Sequence, residues 1–488
     1  MGAFDWSFST GPSWAFNAPL TRLIAFFAEA VVVESMPVSY PPEASTTLER
    51  WSPVRPPPDL LELSSQAQQE ALTAGRGAQQ VMFSTNGSSL SAHVAIMSVA
   101  GPGDTLVMAR NGHKSAFAGL ILSGARPIYV DPYYDEELEL AHGVLVEDLV
   151  KVLDGHPEAK AAMIFTPSYY GTSADVRSIA EACHQRDLPL VTDDAWALDY
   201  AFGDLAELPE PALTQGSDLA IGSVHKTLSG LGQTSVLSIG SDRIDSERLQ
   251  LCFELEESTS TSGLLLSSID GARAQFVREG EELLGRAIGS AQLLRDRLAA
   301  EVPELRVIEP ALLKSTPGVT GIDPTHVLVE TASIGLTGYR ALDWLRLERN
   351  VDVELVDHRR IMPLVSYAHG EVEVDRLVRA LRDLVDAHPD EDGDDIPSYP
   401  SRPQMRSDAP MLPRDAFFAA TETVTFNKAA GRISAELVTP YPPGIPAVAP
   451  GDLYTEENIS YLQAFVEAGG FVEGASDPTL QRLRVVAS

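Results

Sequence analysis

The 488-residue chain has only two cysteines, Cys183 and Cys252, and no long run of apolar residues. Two cysteines with no further spaced ligands exclude a disulfide framework and a zinc site, so we expect no bound metal. The apolar stretch 23–33 contains Glu29 and is shorter than the roughly 18 residues that a membrane helix needs. Because no secretory leader is recognisable either, we expect a cytoplasmic protein with no membrane partner.

Basic residues are scarce as well: 36 Lys and Arg stand against 69 Asp and Glu, a net charge of −33. Neutralising nucleic-acid phosphates requires an excess of Lys and Arg, so we expect no nucleic-acid partner. The acidic field would favour the approach of a cationic small molecule, although acidic surfaces also serve solubility. Apolar (44%) and charged (22%) fractions are those of a globular protein, long enough for two or three domains.

The chain also lacks the G-K-[ST] sequence that completes a Walker phosphate loop. It has instead a short apolar strand pattern at 81–83 that leads through Asn86 into Gly87, Ser88 and Ser89, before a helical pattern at 90–100. Backbone N–H groups at a helix N-terminus bind anions, and hydroxyls add donors. This pattern predicts a phosphate site, with an ordinary serine N-cap as the alternative.

Lys226 follows a short apolar strand pattern at 219–221, with Ser223, His225 and Thr227 beside it. A lysine in such surroundings is partly desolvated, which lowers the pKa of the amine and makes it a nucleophile. Such a lysine can bind the aldehyde of pyridoxal phosphate covalently. A strand-end lysine that simply reaches solvent is the alternative for this motif alone.

Asp193 and His113 follow two further predicted strands, 188–192 and 105–109. In an open α/β sheet, ligands bind at the carboxyl ends of the strands. A carboxylate there can pair with the protonated ring nitrogen of pyridoxal phosphate, and a histidine can stack on a flat ring or donate a proton. Alone, the aspartate could cap a turn and the histidine could be structural. Together with Lys226 they predict one site.

Residues 61–310 alternate helical and short apolar strand patterns, which predicts an α/β domain with a mostly parallel sheet and crossover helices. We divide the rest into an N-terminal arm (1–60) with a helix at 20–30, a small α/β domain (311–388), an acidic, proline-bearing linker (389–411) and an α+β C-terminal domain (412–488). Helices are predicted in the last two domains at 338–349, 372–387, 414–423 and 456–468.

The segments that contain these residues resemble motifs of the Orn/Lys/Arg decarboxylase family and occur in the same order as in that family. The resemblance is to its short branch, which has no wing domain. The family consists of pyridoxal phosphate enzymes of fold type I, which resemble aspartate aminotransferase. The similarity covers about residues 65–488 and includes F-S-T-N-G-S-S at 83–89, R-N-G-H-K-S at 110–115, D-D-A-W at 193–196 and S-V-H-K-T-L at 223–228. Further matching segments are 101–104, 123–127, 166–171, 233–235, 261–262, 268–270, 431–436, 440–446 and 450–452.

The resemblance implies pyridoxal 5'-phosphate as the cofactor and three catalytic residues: Lys226 bonded to its aldehyde, Asp193 on its ring nitrogen and His113 on its ring face. Ala195 would pack under the ring. A residue at the position of Ser262 would reach the neighbouring subunit's phosphate, which implies a homodimer or higher homo-oligomer. The full set of implied cofactor contacts is Lys226, Asp193, His113, Gly87, Ser88, Ser89, Ala195, Trp196, Ser223, His225 and Ser262.

The implied activity is decarboxylation of a basic amino acid (lysine, ornithine or arginine) to its amine and CO₂, a reaction of polyamine biosynthesis. Lys226 or His113 would protonate the product carbon. Asp194, Asp199 and Glu436 are candidates to bind the basic side chain, and each could equally be a surface acid.

Four departures from the family pattern bear on the reaction. The N-terminal segment of the relatives is replaced by residues 14–19 and proline-rich stretches at 41–42 and 56–58, and Ile221, Gly232 and Asp199 differ from the usual residues. An aminotransferase or oxidase acting on a basic amino acid, or a non-catalytic homologue, therefore stays open at this point.

Overall fold

The structure, a computed structural model of the chain, describes residues 78–203, 205–388, 396, 399, 409–441 and 444–487. The predicted N-terminal arm with its helix at 20–30, and most of the predicted linker, lie outside the described residues. Within them, no helix has both the length and the apolar content needed to cross a membrane.

A seven-stranded sheet lies at the centre of the first half of the chain. Its neighbour pairs are parallel except for the two made by β10, which is antiparallel to β1 and to β9. The predicted α/β class with a mostly parallel sheet is thus confirmed. In spatial order, the strands are β1 (Gln80–Ser84), β10 (Ser235–Ile239), β9 (Leu219–Ser223), β8 (Leu190–Asp193), β6 (Ala159–Phe165), β2 (Thr105–Ala109) and β3 (Arg126–Val130).

The central strands are continuous apolar runs because helices cover both faces of a parallel sheet. Every residue of β2, β9 and β10 is buried. The helices of this half are α1 (Gly87–Val99), α2 (Lys114–Ser123), α3 (Val146–Gly155), α4 (Val176–His184), α5 (Val224–Thr227) and α6 (Ser246–Glu256). Short strands outside the main sheet are β4 (Tyr134–Asp135), β5 (Leu140–Ala141) and β7 (Thr172–Ala174).

A 39-residue helix, α7 (Gly263–Glu301), leads to a second, antiparallel sheet. The order of its strands is β11 (Arg306–Ile308), β13 (Leu328–Glu330), β15 (Arg360–Met362) and β14 (Leu355–Val356), while β12 (Val319–Ile322) pairs with β7. The helices here are α8 (Pro310–Leu313), α9 (Gly338–Arg349) and α10 (Glu371–Ala387). The helices predicted at 338–349 and 372–387 match α9 and α10 within one residue.

The C-terminal segment packs on this second unit, since Leu462 and Leu483 share one apolar cluster with Leu294, Leu345 and Leu381. The segment contains α11 (Pro413–Phe418), β16 (Thr421–Thr425), β17 (Thr439–Tyr441), α12 (Glu456–Glu467), β18 (Phe471–Glu473) and β19 (Arg482–Val486). Strand β16 pairs with β19, and β17 pairs with β18.

The helix predicted at 414–423 is wrong in its second half, where β16 begins at Thr421. Three threonines and a valine make this stretch rich in β-branched side chains, which lose rotamer freedom in a helix and pack well on a strand. Pairing with β19 decides the conformation.

The parallel arrangement aligns the carboxyl ends of β1, β2, β6, β8 and β9 along one edge of the main sheet. Cross-strand register places Ser84 opposite Ser235, and Ser235 opposite Ser223. Polar residues that are far apart in sequence therefore meet at this edge.

Candidate active site

Lys226 and Asp193 lie at the carboxyl ends of two adjacent parallel strands. Asp193 ends β8 opposite Ile221 of β9, and Lys226 lies on α5, directly after β9. Burial lowers the pKa of Lys226, an effect opposed by Asp193 and by Glu354. Burial likewise raises the pKa of Asp193, against the opposing charge of Lys226 and an N–H bond from Ala195 at 3.2 Å. The structure thus brings the predicted amine and carboxylate into one desolvated pair.

The indole of Trp196 faces the same lysine. The Lys226 Nζ lies 4.3 Å from the centroid of the Trp196 ring, within the range of a cation–π contact. Ala195, between Asp193 and Trp196, is buried. The D-D-A-W motif therefore lines the space around the amine.

The residues of the predicted phosphate cradle lie where α1 begins. The hydroxyls of Ser88 and Ser223 are hydrogen-bonded to each other, and the Gly87 N–H donates to the Gln233 carbonyl at 2.9 Å. The Asn86 side chain does not cap α1, so it leaves the first-turn N–H groups to other acceptors. Ser89 is exposed beside them.

His225 lies on the other side of this cradle. Its Nδ1–H donates to the Thr234 carbonyl at 2.8 Å, which directs Nε2 away from that backbone. Burial lowers the pKa of His225, as does the charge of Lys226, so the ring is neutral at pH 7. A neutral histidine with a fixed tautomer suits hydrogen bonding to an anion better than charge pairing.

His113 is held between β2 and α2 with a defined proton position. Its Nδ1 accepts the Ser115 N–H at 3.2 Å, so the neutral ring carries its proton on Nε2. Burial, with the charges of Lys226 and Lys114, lowers the pKa of His113 to about 4. The preceding Gly112 is required because a Cβ there would lie 2.4 Å from the Phe165 ring.

The side chains around Lys226 fit pyridoxal phosphate. Two buried donors, Trp196 Nε1 and Thr227 Oγ1, have no hydrogen-bond partner in the part of the chain that the structure describes. Buried donors are normally paired, so unpaired ones next to a reactive amine are consistent with a polar ligand. Lys226, the Asp193 carboxylate and the N-terminus of α1 would supply the remaining contacts to the aldehyde, the ring nitrogen and the phosphate.

The acids predicted to bind the substrate side chain have other contacts. Asp194 is buried and accepts from the Thr192 hydroxyl at 3.3 Å, and Asp199 is buried in the short 3-10 helix Leu198–Phe202. Glu436 accepts the N–H groups of Ser476 (2.7 Å) and Arg484 (2.8 Å) within the C-terminal segment. Both oxygens of Glu436 are engaged there, which removes it as a candidate.

Glu354, which the sequence analysis missed, is a second acid, besides Asp193, whose charge acts on Lys226. It directly precedes β14, is an exposed residue, and interacts electrostatically with Lys226, His326 and Tyr441. The protein that surrounds it on most sides raises its pKa, while Lys226 and His326 lower it. No motif marks it, since it lies in a short polar loop far from Lys226 in sequence.

Ser262 is the predicted site residue that the structure does not bring to this cluster by a described contact. It caps α7, and its hydroxyl accepts the Leu265 N–H at 3.4 Å. Its contact with a neighbouring subunit stays a prediction.

Two family models match the chain: the major domain of Orn/Lys/Arg decarboxylases over residues 62–372 and their C-terminal domain over 401–474. The first alone covers more than half of the sequence. This chain belongs to the Orn/Lys/Arg decarboxylase family. The family assignment from the motifs is confirmed, and with it an enzyme that decarboxylates a basic amino acid rather than an aminotransferase, an oxidase or a non-catalytic homologue.

Curated relatives are similar in sequence to this chain over most of its length. An arginine decarboxylase of Halalkalibacterium halodurans is 37% identical over 418 residues, which are 86% of this chain and 84% of that protein. An arginine decarboxylase of Bacillus subtilis is 38% identical over 410 residues, 84% of this chain and 83% of that protein. Among solved structures, the lysine decarboxylase LdcF of Francisella novicida has a TM-score of 0.72 at 19% identity, covering 87% of this chain and 72% of that chain, which supports the fold.

The buried neutral His113 predicts an acid-sensitive fold. Its folded-state pKa of about 4 is below the ordinary 6.5, so the unfolded state binds more protons between these pH values. Stability is full above pH 6.5 and falls by up to about 1.4 kcal/mol per pH unit below it. His113→Gln should flatten this slope in urea unfolding of the apoprotein between about pH 5 and 8.

His156→Gln is the control for this measurement, because the His156 side chain is 36% exposed on the surface. It should leave the slope as in the unmodified chain. An unchanged slope in His113→Gln would contradict the desolvated state of that ring.

Proposed function

We propose that this chain is a pyridoxal-phosphate-dependent arginine decarboxylase. The assignment of arginine as the substrate is supported by the 37–38% identity to two arginine decarboxylases, over more than four fifths of this chain and of each relative. The paired Lys226 and Asp193 support the cofactor. A cytoplasmic location and a role in polyamine biosynthesis belong to the same proposal.

In this proposal Lys226 binds the cofactor aldehyde. Bound pyridoxal phosphate supplies an electron sink for the bond that breaks at the substrate α-carbon. Asp193 keeps a proton on the ring nitrogen, because its buried carboxylate is stable only beside a positive charge. The α1 N-terminus with Ser88, Ser89, Ser223 and His225 holds the phosphate, and the free Trp196 and Thr227 donors complete the polar contacts.

The residue that returns a proton to the product carbon is Lys226 in this mechanism. His113 is neutral at pH 7 with a pKa of about 4, so charging it to act as an acid is costly. The Lys226 amine has a lowered pKa, which brings its proton affinity closer to neutral pH. His113 then serves to cover a face of the ring.

Glu354 binds the guanidinium of the substrate. Before substrate binds, the charge of Lys226 partly compensates this carboxylate. A cationic substrate side chain would add a further positive charge beside Glu354 and would stabilise its carboxylate. A guanidinium can donate two parallel bonds to a carboxylate, a geometry that an ammonium group cannot match.

The proposal is tested by CO₂ release from arginine, lysine and ornithine with the purified holoenzyme. We expect kcat/KM for arginine to exceed the others by about 100-fold, since losing a bidentate, charge-assisted contact costs up to about 3 kcal/mol. Preference for lysine or ornithine would overturn arginine as the substrate while leaving the family assignment intact.

Glu354→Gln should raise KM for arginine by about 10- to 100-fold, because the neutral amide loses about 1.5–3 kcal/mol of charge-assisted hydrogen bonding. The value of kcat should change less. Asp352→Asn is the matched control: Asp352 is exposed two residues earlier and pairs with Arg346 at 2.9 Å. Equal effects of the two substitutions would exclude a specific role for Glu354.

We further propose that the enzyme is a homodimer that associates through α6 and the start of α7. Leu251 and Leu255, one turn apart on α6, are 67% and 75% exposed, and Leu264 is 70% exposed. Glu257, between the two helices, accepts hydroxyl hydrogen bonds from Ser84 and Thr85 next to the phosphate cradle. Apolar side chains this exposed and this close to the site suit a subunit interface.

Leu251→Asp with Leu255→Asp should convert the dimer to a monomer in analytical ultracentrifugation and weaken cofactor binding. Leu347→Asp is the control, because Leu347 is 83% exposed on α9, on the second unit. A double variant that stays dimeric would exclude this face as the interface.

A further inference from the structure

Arg110 joins the main sheet to the C-terminal segment. It directly follows β2, three residues before His113. Its Nη1 donates to the Pro446 carbonyl at 2.8 Å, and its Nη2 donates to the Ala447 carbonyl and to Asp452 Oδ2, both at 3.2 Å. All three acceptors belong to residues 444–452, which we call the docking loop.

The environment of Arg110 makes this contact costly to break. The side chains of Arg110 and Asp452 are 12% and 4% exposed. The guanidinium carbon lies 4.9 Å from the Phe117 ring centroid and 5.1 Å from that of Tyr129. Removing one partner of a buried pair leaves an uncompensated charge, so the contact specifies one position of the docking loop.

The same carboxylate also shapes the docking loop internally. Asp452 Oδ2 accepts the Ala449 N–H at 2.9 Å as well as the Arg110 guanidinium. The loop conformation and its attachment to the sheet therefore depend on one oxygen atom.

The docking loop packs against His113. The Lys114 N–H donates to the Gly444 carbonyl at 3.2 Å, and the Lys114 ammonium pairs with Glu473 of β18. A Cβ on Gly444 would lie 3.4 Å from His113 Cδ2, so Gly444 lies beside the ring edge with room for little more than its own backbone. Gly444 has φ +94°, a conformation that favours glycine.

We propose that Arg110 is a positioning residue, which clamps the docking loop onto the edge of His113 and so fixes the ring that covers the cofactor. The C-terminal segment then attaches to the main sheet in the same step that forms the side of the site that contains His113. The inference rests on the proposed place of His113 in the cofactor site and goes beyond the identity of the substrate.

The test compares Arg110→Met with Arg432→Met in the full-length chain. Methionine keeps an unbranched apolar stem but removes every hydrogen bond and the charge. Arg432 is the matched control because it bonds Glu422 and the Val486 carbonyl inside the C-terminal segment, without reaching the main sheet. Asp452→Asn is a second variant, which keeps the size and shape of this side chain and removes its negative charge.

Two readouts use the apoprotein and are independent of turnover: hydrogen exchange of residues 444–452 and acylation of His113 by diethylpyrocarbonate. The third readout is the Kd for pyridoxal phosphate. His225 serves as the internal reference for acylation. In Arg110→Met we expect faster exchange of the docking loop, faster labelling of His113 and a Kd raised about tenfold, equal to about 1.4 kcal/mol. Asp452→Asn should follow in the same direction, and Arg432→Met should match the unmodified chain.

Faster loop exchange with unchanged His113 labelling and Kd would overturn the proposal, since Arg110 would then only join domains. Global unfolding of both Arg110→Met and Asp452→Asn would also overturn it, in favour of a general stabilising role. If arginine proves not to be the substrate, the apoprotein readouts still decide the role of Arg110.

Discussion

Lys226→Ala is expected to abolish decarboxylation, with kcat/KM reduced by at least about 10⁴-fold as for other covalent catalytic groups. The visible absorption band of the lysine-bound cofactor should disappear with it. The fold should persist, because removing the buried amine relieves a desolvation cost and Asp193, whose pKa burial already raises, can take up a proton instead of remaining an unpaired charge. Spectra, thermal melts and CO₂ release on the same sample check the three expectations.

Lys114→Ala is the control for this substitution. Lys114 lies beside His113 and pairs with Glu473, so its removal changes the local charge without removing the covalent attachment. It should keep the visible band and lose at most about tenfold in activity, since a half-exposed ion pair contributes about 1 kcal/mol or less. Turnover of Lys226→Ala comparable to that of Lys114→Ala would exclude Lys226 as the attachment residue.

The residues that could be predicted from sequence are those that follow strands. Lys226, Asp193 and His113 each come directly after an apolar run, and the carboxyl ends of parallel strands meet at one edge. The strand pattern therefore predicts their proximity without any knowledge of the loops. Ser88 and Ser223 follow the same rule, and the structure joins their hydroxyls.

The residues that could not be predicted lie in loops of the second unit and the C-terminal segment. Glu354, Gly444 and Asp452 reach the site by domain packing, which no local periodicity encodes. Arg110 belongs to a predicted motif, but its acceptors lie more than 330 residues later in the chain. Glu436 failed as a candidate for the opposite reason, because two backbone donors that only the tertiary structure supplies engage it.

Electrostatics explains why the site needs both partners of the Lys226–Asp193 pair. Burial moves the pKa of each group towards the value that favours its neutral form, and the charge of the other group is the largest effect that opposes this shift. Once the lysine is bonded to the cofactor, Asp193 needs another cation to remain a carboxylate. In the proposed mechanism a protonated ring nitrogen would be such a cation, and the charge of Asp193 and the proton on the ring would stabilise each other.

Asp193→Asn should therefore lower kcat by about 10²- to 10³-fold, the range found when one preorganised electrostatic contact is removed. The amide is nearly the same size as the carboxylate, so packing is retained and the Kd for pyridoxal phosphate should rise as the charge pairing is lost. Titration of the apoenzyme with cofactor, together with CO₂ release at saturating cofactor, separates weak binding from slow chemistry.

Asp218→Asn is the matched control for Asp193→Asn. Asp218 is fully buried in the same sheet, but it immediately precedes β9 and lies at the opposite edge, where it accepts the Leu190 N–H at 2.7 Å and pairs with His184 at 2.8 Å. Its substitution should reduce stability while the folded enzyme keeps its kcat. If the two variants lose kcat equally, the effect of Asp193 is general destabilisation; if only Asp193→Asn loses it at full cofactor occupancy, the carboxylate acts on the ring nitrogen.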